Sequence, residues 1–417
     1  MAFQQEMKST IHKGGFAMNK LLIVLALLFT GFSWSFAEEV PGVTDTAIRV
    51  GMITDLTGPL AFVGQEASAG ARLYLDHINA GGGVHGRKIE LIVEDDGYQP
   101  PRTIAAFRKL VDQDRVFCFA GNMGTSTTTA TFPFIERERI PLIAPGTFAS
   151  AMHTPPKQYL FAKDPSYNIQ AWIIAKYILE VEKADAPRLA VLYQDDDYGQ
   201  DGLRGLREAA EHYGLPIVAE ESYKKGAVDF STQVLNLRKA DPTHVVLWAV
   251  YREAAAVLKE ARMADWHPQF IGGLPVADDK TLELAGADAE GLLALQSIDL
   301  QSQDEPMKQY RELVSKYTPD HRLSFYHALG FESAQALVEG LERAGRELNR
   351  ENLVEAMESF KEWNGSIGPP LTYGPGLRGG QNTSAFMVRA DVANKTFVRA
   401  TDWIRFERPA QVAQKVE

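Results

Sequence analysis

Three loops hold the residues best suited to chemistry. Gly121-Asn122-Met123-Gly124-Thr125-Ser126-Thr127-Thr128 places hydroxyls and two glycines between a β-like run and a helical pattern. Such a loop leaves backbone N–H groups free at a helix start, where an anion is favoured, and adds hydroxyl donors beside them. Ala144-Pro145-Gly146-Thr147-Phe148 follows the next strand-like run and offers an amide, a hydroxyl and an aromatic wall. Thr54-Asp55-Leu56-Thr57-Gly58-Pro59-Leu60-Ala61-Phe62-Val63-Gly64 follows the first. Each alone reads as an N-cap with a turn. Three together describe a site for a small anion, because ligands of open α/β sheets bind outside the carboxyl ends of the strands.

The other motifs do not assemble into catalysis. Gly81-Gly82-Gly83-Val84-His85-Gly86 has dinucleotide-loop spacing but follows a helical pattern and opens a strand, the reverse of what that loop requires, so it reads as a helix stop. In Asp195-Asp196-Asp197-Tyr198-Gly199 the glycine comes one place too early for a calcium loop, and the acids suit a helix start instead. The nine histidines lack metal-ligand spacing, and no Gly-x-Ser-x-Gly element occurs. Cys118, the single cysteine, sits in the apolar run Val116 to Ala120 and reads as a buried thiol. No catalytic residue, metal or cofactor is expected.

Positioning these loops requires strands that alternate with helices. β-rich runs at Ala47 to Ile53, Ile89 to Glu94, Val116 to Ala120 and Ile140 to Ala144 are separated by helical patterns at Gln65 to Asn79, Thr103 to Asp112 and Ser126 to Glu138. A second series runs through Leu189 to Tyr193, Pro216 to Ala219, His244 to Ala249 and Gln269 to Ile271. Near-continuous apolar strands such as Leu189-Ala190-Val191-Leu192-Tyr193 suit parallel sheets covered on both faces. After Leu295 helices return at Pro306 to Tyr317, Phe325 to Ala344 and Arg350 to Phe360, and two β-like segments close the chain. The fold class is α/β with two doubly wound lobes. Phe161 to Asp164, Leu293 to Ser297 and Ile367-Gly368-Pro369 are the candidate crossings between them.

Composition agrees with this picture. The chain has 417 residues with 45% hydrophobic and 23% charged, more than one core holds comfortably. Met18-Asn19-Lys20, the apolar run Leu21 to Phe29 and Ser35-Phe36-Ala37 read as a cleavable secretory signal at 1–37, with Met18 a candidate true start and a retained N-terminal anchor the rival reading. That run is about half of the roughly 20 residues that span a bilayer. Without residues 1–37 the net charge is −13, a surface unsuited to nucleic acid. An exported chain with one cysteine forms no internal disulfide, so its core alone must stabilise it.

The residues also resemble a known group over roughly 45 to 400. Leu56-Thr57-Gly58-Pro59, Gly70-Ala71-Arg72, Ile78-Asn79-Ala80-Gly81-Gly82-Gly83, Glu94-Asp95-Asp96, Asp196-Asp197-Tyr198-Gly199 and Gly286 to Gly291 are similar, in order and spacing, to leucine/isoleucine/valine-type solute-binding proteins of ABC importers. The resemblance implies a type I periplasmic binding fold, with three crossovers and a ligand clamped at the hinge. It implies a first lobe of 41–161 plus 295–367, a second of 162–294 plus 368–405, and a tail at 406–417.

By the same resemblance Gly124, Thr125, Ser126 and Thr147 hold a ligand carboxylate, while Tyr198 and Tyr251 close over it from the second lobe. Phe62 and Phe148 are the expected apolar walls of the first lobe. Amino-acid binders of the family carry an acid for the ligand ammonium where this chain has Gly273-Leu274-Pro275. Either Glu253, Asp197 or Asp278 substitutes, or the ligand lacks that ammonium and the Leu274 and Phe148 pocket favours an apolar or aromatic carboxylate. The function expected is a monomeric periplasmic receptor that delivers a branched-chain or other hydrophobic amino acid, or a related small carboxylate, to a membrane permease. A ligand sensor for a signalling partner is the alternative reading, and a secreted α/β enzyme a third.

Overall fold

The computed structural model describes residues 40–163 and 165–407; the expected signal and most of the tail lie outside them. In chain order the first series is β1 (Ala47–Thr54), α1 (Ala61–Ala80), β2 (Lys88–Asp95), α2 (Pro100–Arg108), β3 (Cys118–Ala120), α3 (Thr125–Glu138), β4 (Leu142–Ile143) and β5 (Leu160–Phe161). The second is α4 (Tyr167–Lys176), β6 (Leu189–Gln194), α5 (Asp197–Tyr213), β7 (Ile217–Tyr223), α6 (Ser231–Lys239), β8 (His244–Trp248), α7 (Tyr251–Met263), β9 (Gln269–Gly272), α8 (Asp279–Ala285) and β10 (Leu293–Gln296). Helices α9 (Glu305–Tyr317), α10 (Phe325–Ala344) and α11 (Arg350–Glu358) follow, then β11 (Ser384–Asp391), β12 (Thr396–Arg399) and β13 (Ile404–Arg405).

Strands β1 to β5 form one parallel sheet in the order β2-β1-β3-β4-β5. The other sheet runs β12-β11-β10-β9-β8-β6-β7, parallel from β7 to β10, with β11 and β12 antiparallel at its edge. Every residue of β8 is buried, and all of β6 except Tyr193, as strands covered on both faces must be. Each sheet reverses its strand order once, between β1 and β3 and between β6 and β8. A doubly wound sheet leaves a crevice at that point, outside the carboxyl ends of the strands.

The chain leaves the first sheet after Phe161 and enters the second lobe at α4, which packs against α5. It leaves the second sheet after Gln296, since Leu295 and Gln296 still pair with Met387 and Phe386. Helices α9 and α10 then pack on α1, and α10 also reaches β3 and β4. The third crossing lies between α11 and β11. Gly330 of α10 permits the close helix approach, because a Cβ there would stand 1.8 Å from the Ala67 carbonyl of α1.

One charged pair is enclosed at this hinge. Lys163 in the first crossing lies 3.1 Å from Glu332 of α10, both almost fully buried, and also donates to Leu329 O and Ser333 Oγ at 3.0 Å. Cys118 is buried in β3, and burial pushes its thiol up to about 12, which leaves it inert. No helix among the described residues is long and apolar enough to cross a membrane.

Candidate functional site

The loop after β3 is shaped by Gly124, whose φ of +94° favours glycine and whose Cβ would press within 2.8 Å of the Tyr98 ring. Gly124 has no side chain to cap α3, and among the described residues no hydrogen bond reaches the amides of Thr125, Ser126 or Thr127. Thr125 Oγ1 lies 2.9 Å from Thr147 Oγ1 and 3.0 Å from the Tyr167 hydroxyl, and all three residues are buried. Two bonds among three hydroxyls use at most two protons, which leaves at least one O–H to donate. Ser126 Oγ is also buried and makes no hydrogen bond of ordinary geometry, though it is close enough to the Tyr98 hydroxyl to bear on its acidity. Free amides at a helix start and spare hydroxyl protons form a neutral cradle for a carboxylate.

Aromatic rings surround this cradle. Phe148 packs edge-on to Tyr167 at 5.9 Å, Tyr167 to Tyr198 at 4.9 Å and Tyr198 to Trp248 at 6.0 Å. A second group joins Phe62, Tyr251 and Tyr326, with centroids 5.4 to 6.4 Å apart. Burial raises the Tyr326 pKa, with Asp278 adding to the effect. Leu274 is fully buried beside this group, where the Tyr326 hydroxyl donates to Pro275 O at 2.7 Å. Of the residues expected from the sequence, Thr125, Thr147, Phe148 and Tyr198 are thus linked through Tyr167, while Phe62 and Tyr251 meet through direct ring contact. The first loop contributes only its aromatic wall. Most of its polar groups are engaged within the first lobe, with Asp55 accepting from the amides of Thr57, Gly58 and Leu60 and Asp95 accepting from the Leu56 amide and the Thr57 hydroxyl.

Hydrogen bonds close the lobes over the site. Tyr98, held at a left-handed φ of 57°, donates to Asp196 Oδ2 at 3.1 Å and accepts from Gln194 Nε2 at 3.0 Å. Lys225 donates to Tyr98 O, Thr129 Oγ1 to Asp197 at 2.6 Å, and the Ser150 amide to Asp201 at 2.7 Å. Phe325 N reaches Asp278 Oδ2 at 3.1 Å. Burial pushes the Asp278 carboxyl up to about 7, with Asp279 and Glu66 adding to the effect. Two cavities of about 330 and 890 Å³ open near the second and third crossings, and neither is lined by a residue of the hydroxyl cluster.

Tyr98, Tyr167 and Tyr326, which meet these residues or bridge the lobes, are not singled out by the sequence. The signals were Asp96-Gly97 before Tyr98, which marks a turn, and a serine N-cap directly ahead of each of the helices that begin at Tyr167 and Phe325. Among the described residues no group of three or more His, Cys, Asp or Glu is placed to hold a metal ion.

Two hinged α/β lobes that clamp a hydroxyl-lined cleft define a solute-binding protein of the type I periplasmic fold. The chain belongs to the periplasmic binding protein family, whose model matches residues 47–395. It is 25% identical over 359 residues to the leucine-, isoleucine-, valine-, threonine-, and alanine-binding protein of Pseudomonas aeruginosa, covering 85% of this chain and 92% of that one. Its fold is similar to the fatty acid ABC transporter substrate-binding protein from Thermomonospora curvata, with a TM-score of 0.80 at 24% identity, covering 89% of this chain and 95% of that one. It is also similar to a branched chain amino acid ABC transporter from Thermus thermophilus with bound valine, with a TM-score of 0.77 at 22% identity, covering 87% and 98%. Membership of this family makes the chain a binding protein.

Proposed function

We propose that the protein is the receptor of an ABC importer, which captures a hydrophobic amino acid or related small carboxylate between its lobes and presents it to a membrane permease. The observation that carries this reading is the hydroxyl cluster of Thr125, Thr147 and Tyr167, where two residues of the first lobe meet one of the second at the start of α3. A ligand that bonds to both sides stabilises the closed arrangement over the open one, and only that difference moves the population. The names of the Pseudomonas aeruginosa and Thermus thermophilus relatives support an amino-acid ligand. The Thermomonospora curvata name supports the wider class of apolar carboxylates.

In this reading the first lobe is 41–161 plus 297–367 and the second 162–296 plus 368–405. The site comprises Gly124, Thr125, Ser126, Thr147, Phe148 and Phe62 from the first lobe and Tyr198, Tyr251 and Leu274 from the second, with Tyr98, Tyr167 and Tyr326 added. Residues 1–37 direct export to the periplasm, the receptor acts as a monomer, and neither cofactor nor nucleic acid takes part. A thermal-shift panel of aliphatic and aromatic amino acids with their deaminated acids tests this. Ligand at a hundred times its Kd adds about 2.7 kcal/mol of stability. A panel in which no carboxylate raises the unfolding midpoint refutes the proposal.

A further inference from the structure

Tyr98 stands on a turn that is tied down at several points. After β2, Asp96 accepts from the Tyr98 amide at 2.8 Å and from Thr103 Oγ1 at 2.9 Å, and both Gly97 and Tyr98 take a left-handed φ of 57°. A tyrosine keeps that conformation only where its surroundings over-determine it. The residue is 3% exposed, and burial pushes its phenol well above the ordinary range, so the hydroxyl keeps the proton it donates.

Its side chain touches both lobes. The ring edge packs on Gly124, where a Cβ would stand 2.8 Å from Cε2 and 3.0 Å from Cδ2. Glycine at 124 therefore admits the ring as well as the φ of +94° from which α3 starts. In the second lobe the hydroxyl meets Asp196 Oδ2 at 3.1 Å and Gln194 Nε2 at 3.0 Å. Asp196 is itself fixed, because its Oδ1 caps α5 through the amides of Tyr198 and Gly199. Lys225 places Nζ 4.5 Å from the ring centroid and donates to Tyr98 O at 2.9 Å, so a ring face and a carbonyl hold the cation together. One tyrosine thus links the loop of the cradle to three residues of the opposite lobe.

Resting on the receptor reading above, we propose that Tyr98 is a positioning residue, which holds the Gly124 loop in its ligand-ready shape and is itself held there by the second lobe. Parting the lobes takes Asp196, Gln194 and Lys225 away and leaves the phenol without these partners. The ring then loses what presses it on Gly124, and the α3 amides lose the loop shape that presents them. Closure improves the cradle itself, a difference between the closed and open states that a carboxylate can use. Because Tyr98 acts on the carboxylate end alone, its effect is the same for every ligand side chain.

Titration calorimetry and stopped-flow fluorescence on the full mature chain test this, with leucine, phenylalanine, 4-methylpentanoate and 3-phenylpropanoate as probes. Tyr98→Phe keeps the ring and removes the hydroxyl. It should weaken every probe that the wild type binds by one common factor of about 5 to 20, the size of one or two lost hydrogen bonds, and the loss should lie in faster dissociation. The unfolding midpoint of the unliganded chain should hardly move, whereas a merely structural role would lower it and leave the dissociation rate alone. Unchanged affinity, losses that differ markedly between probes, or a loss carried by slower association overturns the proposal. Lys225→Met, at an exposed position, is the second variant should Tyr98→Phe not fold. It should weaken the same probes together by a smaller factor, and no change overturns the proposal. A wild type that binds none of the probes brings down the receptor reading and Tyr98 with it; binding that Tyr98→Phe leaves untouched removes Tyr98 alone.

Discussion

Thr125 Oγ1 stands 3.0 Å from the hydroxyl of Tyr167, a contact between the start of α3 in one lobe and the start of α4 in the other. The same oxygen lies 2.9 Å from Thr147 Oγ1, so a single β-hydroxyl ties together two loops and two lobes. Thr125→Val keeps the shape and removes the hydroxyl. Carboxylate binding should weaken by about 1 to 3 kcal/mol, the cost of an unmade hydrogen bond to a charged group. Titration calorimetry reads this directly, and unchanged affinity would take Thr125 out of the site.

Tyr326 tests closure apart from ligand contact. Its hydroxyl donates across the cleft to Pro275 O at 2.7 Å, while its ring packs on Phe62 and Tyr251. Tyr326→Phe preserves the packing and loses one bond between lobes, worth about 0.5 to 1.5 kcal/mol. Small-angle scattering should show a more open average in the variant at sub-saturating ligand, with affinity reduced to match. Identical scattering profiles would mean that this bond does not bias the hinge.

The lobes were legible in the sequence because parallel strands buried on both faces are nearly continuous apolar runs, as Leu189 to Gln194 shows. The cradle was legible because Gly124-Thr125-Ser126 joins a strand end to a helix start, a strictly local arrangement. Tyr98, Tyr167 and Tyr326 were not. Their roles depend on pairings with Asp196, Thr125 and Pro275, which are 98, 42 and 51 residues away, and no local pattern encodes such contacts. Helix α4 is buried at every position from Tyr167 to Ala175, so its apolar content reads as core and hides the phenol that reaches the cleft. Helix α8 is seven residues long, too short for a periodic signal.

Asp278 makes stability depend on pH. Its carboxyl is pushed from an ordinary 3.8 to about 7 by burial, so the folded chain holds the proton more tightly than the unfolded chain does. The stabilising contribution is complete below about pH 4 and is lost as pH rises through about 7, amounting to at most about 4 kcal/mol. Asp96, raised by burial to about 6, acts in the same direction. The unfolding midpoint should therefore fall between pH 5 and pH 8, and Asp278→Asn, neutral throughout, should flatten that fall. Parallel curves for the two proteins would exclude Asp278 as a source of the slope.

The Lys163 and Glu332 pair should behave as a unit. Their charged atoms are 3.1 Å apart and almost fully enclosed where the first crossing meets α10. Burial lowers the lysine pKa while Glu332 opposes that shift, so each charge persists only because the other is present. Removing one partner leaves an uncompensated buried ion and should cost about 3 to 5 kcal/mol, whereas removing both replaces the pair by neutral groups at much smaller cost. Lys163→Met and Glu332→Gln should thus each lower the denaturation midpoint sharply, and the double variant should recover most of the loss. The coupling from such a cycle should be of one sign and reach roughly 4 kcal/mol or more, beyond the roughly 0.5 to 3 kcal/mol usual for residues in contact. Because Lys163 also donates to Leu329 O and Ser333 Oγ, some loss should remain in the double variant. Strict additivity of the two single losses would show that hydrogen bonds to α10, and not the ion pair, hold this part of the hinge.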